Sequence, residues 1–368
     1  MTHRERLLAS ITGGKPDRFF RYELGAWPQT AERWRQEAEG DTTGLLPYEF
    51  GANYFKMDPL VRIAIGSGYT DSPYHPKLTE RTLEETETHR IYIDADGITK
   101  KEFIRDKETS MPQFMRFPVA ERKDWEVLLP HLNPEHADDR IGDVDRVKQM
   151  CADPDVANML PMCGAFGHPR NLFGDEGLSY IIFDDPELLD EVLDNWLALY
   201  KALLSRLTKL VRVDAILIWE DMCYRSGPLI SPDHFRRFML PKYVEFIQHA
   251  RACGVEGIIV DTDGDCLAMI PLFLEAGVDC LLPFEVQAGM DVVAIGKQFP
   301  KLSIMGGLDK RVLADGCKHE AIKAEVDRVL PYFVDRGGYI PTLDHTCPPN
   351  VSLANYHYYL QCLRSYEG

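Results

Sequence analysis

Two aspartates follow a short apolar run in the second half of the chain, at the point where the run ends. Residues 258–260 are Ile, Ile and Val, and Asp261, Thr262 and Asp263 come next. Carboxylates two residues apart on an extended backbone point to the same side of it. Such a pair can bind a metal ion, position a polar substrate or share a proton. Alternatively, one acid caps the next helix and the other is solvated. We take Asp261 and Asp263 as candidate catalytic residues.

A histidine follows the last apolar run of the chain. Residues 339–341 are succeeded by Asp344 and His345, and Cys347 lies two positions further on. An imidazole can ligate a metal ion or transfer a proton near neutral pH. Beside the two aspartates, His345 would complete a set of up to three ligands for zinc or another divalent metal, with a position left for substrate or water. Otherwise the acids pair with Lys or Arg, or bind a polar substrate directly.

Glu220 is a candidate general acid. It follows Trp219 at the end of the apolar run 216–219. An apolar wall beside a carboxyl group raises its pKa into the range that suits acid catalysis. The alternative interpretation is a salt bridge with Arg225 or with a lysine.

Candidates for substrate binding share a position at or just after a predicted strand end. His168 and Arg170 follow the run 158–163 in a predicted loop of small residues, where an arginine would suit a substrate carboxylate. Lys310 and Arg311 are interpreted as surface or anion-binding side chains. The full set of substrate-binding candidates is Glu23, Trp27, His168, Arg170, Tyr224, Glu285 and Gln287.

The spacing of the apolar runs predicts the scaffold that positions these residues. Helical stretches separate the runs, and strands alternating with helices indicate parallel βαβ units. In a closed α/β barrel the active site lies at the carboxyl ends of the strands. We therefore predict a (β/α)8 TIM barrel as a single domain over residues 1–368. A doubly wound open sheet is the alternative, but Gly13 and Gly14 precede the first predicted strand, 18–24, instead of following it as a phosphate-binding turn would.

The region of about 30–135 is polar and does not show the barrel pattern. Short strands are predicted around 90–94 and 101–104, and Asp96-Gly97 between them indicates a hairpin. We interpret the region as a β-rich insertion that could cover the mouth of the barrel.

Helices are predicted at 2–12, 143–152, 185–210, 231–253, 266–276, 291–299, 319–335 and 351–365.

The composition narrows the functional class. The net charge of −17 argues against nucleic acid or an anionic membrane as the main partner. The first residues show no apolar signal segment, and no uncharged run approaches the ~20 residues of a membrane span. The nine cysteines are scattered and form no C-x-x-C pair, which fits a reducing compartment. We expect a cytoplasmic enzyme with a small-molecule substrate.

Several segments, in their order and spacing, resemble the uroporphyrinogen decarboxylase superfamily. They are residues 4–8 (RERLL), 14–18 (GKPDR), 227–232 (GPLISP) and 306–309 (GGLD). The resemblance covers most of the chain and is least clear around 30–135. It implies a (β/α)8 barrel and two types of activity. One is the metal-free decarboxylation of uroporphyrinogen, and the other is zinc-dependent methyl transfer to or from a corrinoid protein.

The chain departs from both branches of that superfamily. Decarboxylases carry an Arg-Gln-Ala-Gly-Arg segment after the first strand, where this chain has Glu23 and Trp27 within 21–28 (RYELGAWP). A substrate with many carboxylates would meet an acid there. The methyltransferases carry His-x-Cys where this chain has Asp261-x-Asp263, and their last zinc cysteine falls at or near His345. A metal here would have harder oxygen and nitrogen ligands.

The resemblance is closer to the corrinoid-dependent methyltransferase branch. It implies transfer of a methyl group from a small methoxylated donor to a corrinoid supplied by a partner protein. Asp261, Asp263 and His345, with or without a metal, would polarise the leaving oxygen, and Glu220 would protonate it. One alternative is a metal-independent decarboxylase or lyase that holds a small carboxylate with His168 and Arg170. The other is a barrel that binds a ligand without catalysis.

Overall fold

The structure is a computed structural model that describes residues 1–42, 44–46, 49–50, 54–104 and 112–367. Its strands follow one another along the chain as β1 (Leu45–Leu46), β2 (Glu49–Phe50), β3 (Leu60–Arg62), β4 (Arg81–Glu85), β5 (His89–Ile93), β6 (Thr99–Phe103), β7 (Gln113–Arg116), β8 (Ala157–Cys163), β9 (Ala215–Trp219), β10 (Cys223–Tyr224), β11 (Gly227–Pro228), β12 (Gly257–Thr262), β13 (Cys280–Pro283), β14 (Ser303–Met305) and β15 (Tyr339–Ile340).

The helices surround these strands. In chain order they are α1 (His3–Ile11), α2 (Pro28–Glu37), α3 (Arg122–Leu128), α4 (Ala137–Ile141), α5 (Val144–Met150), α6 (Gly167–Asp184), α7 (Pro186–Leu207), α8 (Pro232–His234), α9 (Leu240–Ala252), α10 (Ile270–Ala276), α11 (Val292–Gln298), α12 (His319–Arg336) and α13 (Leu353–Arg364). A π-helical turn, Phe235–Met239, joins α8 to α9. In the part of the chain that the structure describes, short 3-10 helices cover Leu129–Leu132, Pro134–His136, Val286–Ala288 and Lys310–Leu313. Within the described residues, no helix combines the length and apolar character that a membrane span requires.

A seven-stranded parallel sheet forms the centre of the molecule, in the order β15-β14-β13-β12-β9-β8-β3. Its strands are almost entirely buried, except for the half-buried edge strand β3. One face packs against the surrounding helices in a large apolar core. The other forms a second core that includes Met159, Leu217, Ile259 and Leu282. Helix α1 belongs to this second core through Leu7, Leu8 and Ile11. The α/β architecture with a parallel sheet is therefore confirmed, and the strands predicted between 158 and 341 are all present.

The segment 18–27 lies beside this sheet without forming a strand ladder in the described residues. Phe20 is part of the second core. The amide of Asp58 donates to the carbonyl of Arg21 at 2.9 Å, and Ala26 forms a single parallel bridge with Cys347. The predicted first strand is therefore seen as an extended segment. Closure of an eight-stranded barrel stays a prediction.

The predicted insertion of about 30–135 needs a correction. Strand β3 lies inside that range, yet it pairs in parallel with β8 and belongs to the central sheet. Arg62 interrupts the apolar residues of 60–65, in a region that is otherwise polar, so the strand was missed. The β-rich part is the antiparallel sheet β4-β5-β6-β7. The predicted hairpin at Asp96-Gly97 is confirmed, because β5 and β6 pair around that turn and Gly97 has φ of 77°.

Two consecutive glycines let the chain turn sharply after β14. Gly306 has φ of 114°, and a Cβ placed on it would lie 2.0 Å from the carbonyl oxygen of Pro283. Gly316 also has a positive φ, 84°, but a Cβ there would meet nothing within 4 Å. A side chain at either position would therefore strain the backbone, but only Gly306 also lacks room for a Cβ atom.

We predict that Gly306→Ala destabilises the fold far more than Gly316→Ala. Gly316→Ala, the matched variant, should lower the free energy of unfolding by about 1 kcal/mol, since alanine tolerates a positive φ poorly. Gly306→Ala should cost about 3 kcal/mol or more, because the backbone of β13 must also move. Urea denaturation midpoints measure both. Equal shifts for the two variants would contradict the close packing of this turn.

Candidate functional site

A cavity of about 470 Å³ opens at the carboxyl ends of the central strands. One part of its wall is apolar and aromatic, with Leu24, Tyr69, Trp219 and Pro283. The other part carries the charged side chains, which are Arg62, Asp221, Asp261, Asp263 and His345. The volume is that of a pocket for a small organic molecule. The structure thus brings together three of the four predicted catalytic residues: Asp261, Asp263 and His345.

Asp261 lies near the end of β12, in register with Trp219 of β9 and Leu282 of β13. The space beneath it is lined mostly by apolar side chains, including Met159, Ile259 and Met305. Burial, and then the negative charges of Asp263 and Asp221, raise the pKa of Asp261 to about 8. Its carboxyl group therefore holds a proton at neutral pH.

Asp263 forms an ion pair with His345, whose Nε2 lies 3.6 Å from Asp263 Oδ2. Burial opposes the charge on each partner, but their mutual attraction prevails. It lowers the pKa of Asp263 and raises the pKa of His345. Asp263 is thus the ionised member of the predicted pair, while Asp261 is the protonated one.

Asp221 is a third cavity carboxyl group, and its backbone is held in a left-handed conformation with φ of 46°. Its amide donates to the carbonyl of Asp261 at 3.2 Å. Its carboxyl group hydrogen-bonds Asp263. Arg170 Nη1 donates to Asp221 Oδ2 at 2.7 Å and to its carbonyl at 3.0 Å. Burial raises the pKa of Asp221 despite that arginine. Arg170 therefore positions Asp221 and does not itself line the cavity.

The sequence analysis did not identify the arginine and tyrosine that face these acids. Arg62 comes from β3, and its guanidinium lies 5.4 Å from the ring centre of Tyr69. Burial and the charge of Asp261 raise the pKa of Tyr69. The only available signal was the apolar neighbourhood of Arg62 within 60–65 (LVRIAI), in a region interpreted as an insertion. The guanidinium of Arg62 would allow the cavity to hold a substrate with a negatively charged group.

Lys310 is also closer to the site than predicted. Its side chain is only 16% exposed, and Nζ lies 3.7 Å from Asp344 and 3.9 Å from Glu285. Glu285 accepts a hydrogen bond from the amide of Gly264 at 3.0 Å. Arg311, in contrast, is an exposed partner of Asp309. Of the two predicted interpretations of Lys310, a surface or an anion-binding side chain, neither is decided, but its charge lies beside the acids at the strand ends.

Glu220 is not in the cavity, which corrects its predicted placement. It is fully buried and accepts hydrogen bonds from the amides of Phe166 at 2.8 Å and Gly167 at 2.6 Å, and from the Tyr243 hydroxyl. Burial raises its pKa to about 7. The reason for the misplacement is strand alternation. Trp219 faces the cavity, so the next residue faces the helices.

Glu23 shows the same alternation. Leu24 lines the cavity, and the buried Glu23 turns away and accepts the amide of Leu343 at 3.1 Å. Burial raises the pKa of Glu23 to about 8. Trp27 caps the start of α2, and its amide donates to the carbonyl of Cys347. Neither Glu23 nor Trp27 belongs to the cavity lining, although both were predicted to bind substrate.

The other substrate-binding candidates also lie outside the lining. His168 and Arg170 are in the first turns of α6 and not in a loop. His168 is buried, and burial lowers its pKa to about 4. Tyr224 is 68% exposed on the β10-β11 hairpin, and Gln287 is exposed in the turn after β13. Glu285 lies beside Lys310. These positions leave the cavity residues as the candidates for chemistry.

The cavity residues as arranged do not fit a shared metal ion. Among the described residues, the ligand atoms of Asp261, Asp263 and His345 do not form a group within 4.8 Å of one another. A protonated histidine cannot ligate, and His345 is drawn to its charged form by Asp263. The thiol of Cys347 is buried, and burial raises its pKa well above its usual value. As arranged, Asp261, Asp263 and His345 are therefore suited to proton transfer.

We predict opposite pH trends for Asp261→Asn and Asp263→Asn. Asp261 keeps its proton up to about pH 8 in the folded chain, while its usual pKa is 3.8. The unfolded chain loses this proton first, so wild-type stability falls between those values. Asp261→Asn removes that loss and should gain roughly 1–3 kcal/mol relative to wild type from pH 5 to 8, since cavity water limits the effect.

Asp263→Asn is the matched variant. The pKa of Asp263 is lowered, so its carboxylate adds stability above the unfolded pKa and the benefit disappears as pH falls through the folded pKa. This variant should therefore be less stable than wild type at neutral pH, with a deficit that shrinks in acid. Urea unfolding across pH measures both. The same trend for the two variants would contradict the assignment of proton and charge.

Comparisons with known proteins place this chain in a family. Residues 107–366 match the family described as uroporphyrinogen decarboxylase (URO-D). A uroporphyrinogen decarboxylase of Alcanivorax borkumensis is 27% identical over 215 residues, which cover 52% of this chain and only 55% of that relative. The structure of a methyltransferase from Methanosarcina mazei aligns over 100% of both chains with a TM-score of 0.59 at 14% identity, a likeness of fold. The resemblance found in the sequence is confirmed: the chain belongs to the uroporphyrinogen decarboxylase family.

Proposed function

We propose that this protein transfers a methyl group from the oxygen of a small methoxylated donor to a corrinoid held by a partner protein. The observation that carries the proposal is the position of Asp261 in the cavity at the strand ends, where burial and the neighbouring acids raise its pKa to about 8. An acid whose pKa lies near the working pH is suited to protonate a leaving group.

The proposed step is balanced by that proton. The bond between the methyl carbon and the donor oxygen breaks, and the oxygen receives the proton of Asp261 as its bond electrons return to it. Protonation makes the departing group an alcohol or phenol instead of an anion. Asp261 is left ionised, and the charges of His345 and Arg62 favour that form. Asp261 then regains its proton from water, beside the ion pair of Asp263 and His345.

The wall of the cavity supports a neutral, partly aromatic donor. Trp219, Tyr69, Leu24 and Pro283 form its apolar part. Aromatic side chains favour stacked or edge-on contacts with another ring. Three carboxyl groups share the opposite part with Arg62 and His345. A substrate with many carboxylates, such as uroporphyrinogen, would place its charges against these acids, which is unfavourable in a partly desolvated site.

The partner protein would approach the loops at the mouth of the cavity. In its reduced form, the corrinoid on that partner would supply the electron pair for the new bond to the methyl carbon as the carbon–oxygen bond breaks. Tyr224, Leu229 and Leu267 are exposed apolar side chains on the loops that follow β9 and β12. The amide of Asp265 joins those loops by donating to the carbonyl of Tyr224 at 3.0 Å.

We also propose that the segment 18–27 occupies the place of the eighth barrel strand. We further propose that the protein is cytoplasmic.

Decarboxylation of a small carboxylate is the second candidate, and Arg62 favours it. A guanidinium inside the cavity could hold a carboxylate by paired hydrogen bonds. The carbon–carbon bond would break, carbon dioxide would leave, and Asp261 would protonate the resulting carbanion. His168 and Arg170, which were predicted to hold the acid, do not reach the cavity. Arg62 takes that role in this alternative.

We predict that Asp261→Asn lowers the rate of methyl transfer by roughly 10²–10⁴-fold, the usual contribution of a general acid. The assay follows methylation of free cob(I)alamin by a panel of small methoxylated aromatic compounds. The wild-type rate should fall as pH rises through about 8, where Asp261 loses its proton. Asp233→Asn is the control, because Asp233 is an exposed acid on α8, outside the cavity lining.

The competing outcomes are distinct in this assay. Methyl transfer that is unaffected by Asp261→Asn would contradict the acid role. Release of carbon dioxide from small carboxylates, lost in Arg62→Met and without methyl transfer, would establish the second candidate. Uroporphyrinogen should remain unchanged, and steady formation of its decarboxylated product would contradict the electrostatic argument.

A further inference from the structure

A second group of potential ligands lies outside the barrel cavity, on the segments that precede and begin α4. It consists of His75, His136 and Asp139, whose ligand atoms all lie within 4.8 Å of one another. His136 ends the 3-10 helix Pro134–His136, and Asp139 is in α4. We propose that these three residues bind a divalent transition-metal ion, for which zinc is the probe. The proposal is independent of the proposed function.

The distances in this group are close to those of a coordinated ion. Asp139 Oδ2 lies 3.0 Å from His136 Nδ1 and 3.5 Å from His75 Nε2. Tetrahedral zinc with bonds of about 2.0–2.1 Å places its ligand atoms roughly 3.3 Å apart. Two edges of the site are therefore already formed. The third edge, between the two imidazole nitrogens, is at most 4.8 Å and closes by rotation of partly exposed rings.

The ligand types fit the same conclusion. Two imidazole nitrogens and a carboxylate oxygen suit zinc, copper, nickel or iron better than magnesium or calcium, which prefer oxygen alone. The side chains are 35%, 43% and 50% exposed in the order His75, His136, Asp139. An ion held by these three ligands would therefore keep water at its remaining position.

Hydrogen bonds from the buried Arg140 hold the segment that carries His75 against the start of α4 without an ion. Arg140 is 5% exposed and donates to the carbonyls of Pro73 at 2.6 Å, His131 at 2.8 Å and Asn133 at 2.9 Å. The amide of His75 also donates to the carbonyl of His131 at 2.8 Å. The backbones that carry the ligands are thus already positioned, which reduces the ordering cost of binding.

A metal here would also brace one side of the cavity. The chain from β3 to His75 carries Ala64, Tyr69 and Thr70, all of which line the cavity. An ion on His75 fixes the far end of that segment to α4. The predicted consequence is a rise in thermal stability when the ion binds.

The test uses full-length protein without an affinity tag, treated with a chelator and dialysed. Titration calorimetry with zinc chloride should show one ion per chain and a rise of about 2 °C or more in Tm. His136→Ala and Asp139→Asn should each weaken binding at least about 10-fold. His319→Ala is the matched control, since His319 is an exposed histidine that stacks on Tyr358, and it should bind like wild type.

A second measurement keeps the proposal testable if a variant folds poorly. Cobalt added to the wild-type protein should give the visible absorption of a low-coordinate nitrogen–oxygen site, and zinc should displace it. Absence of stoichiometric binding would overturn the proposal. So would binding that is unchanged in His136→Ala, or that is lost in Asp263→Asn instead, because the ion would then lie in the cavity.

Discussion

Three carboxyl groups close to one another cannot all be ionised in a partly desolvated cavity, and the chemistry of this site depends on how they divide charge and protons. Asp263 takes the charge because His345 lies beside it. Asp261 takes the proton because it lies above an apolar floor and next to two other acids. Asp221 lies between these cases, with Arg170 opposing the effect of its burial. Different environments thus give similar residues different roles.

The fold produces this division through strand register. Asp261 is opposite Trp219 on β9, and the amides of Glu220 and Asp221 both donate to its carbonyl. These bonds fix the turn after β9, where Asp221 has a left-handed backbone. Glu220 points to the other face and accepts two amides at the start of α6. It therefore anchors the helix that carries Arg170, which in turn holds Asp221.

The sequence was sufficient to predict the elements that local pattern controls. Strands buried on both faces appear as apolar runs, and helices begin at residues such as Asp185 and Ser231 that cap them. The pair Asp261 and Asp263 was identified because it follows such a run. Its proton distribution could not be predicted, since it depends on His345 and Asp221, which are distant in sequence.

The misplaced residues have three physical causes. Whether a residue just past a strand faces the cavity depends on one step of alternation, which separates Glu220 from Asp221 and Glu23 from Leu24. Arg62 was missed because β3 has only three residues and acquires its place by pairing with β8. His168 and Arg170 were assigned to a loop because the small residues before them hid the start of α6. Long-range pairing therefore decided only the case of Arg62.

The titration of Asp261 tests the central claim most directly. Infrared difference spectra, recorded with isotope-labelled aspartate, detect the carbonyl band of a protonated carboxyl group and its loss as pH rises. The division of charge predicts that the wild-type protein shows a band of this kind that disappears around pH 8 and that is absent in Asp261→Asn. A wild-type protein in which every aspartate is ionised by pH 6 would contradict it, because Asp261 would then have no proton to give.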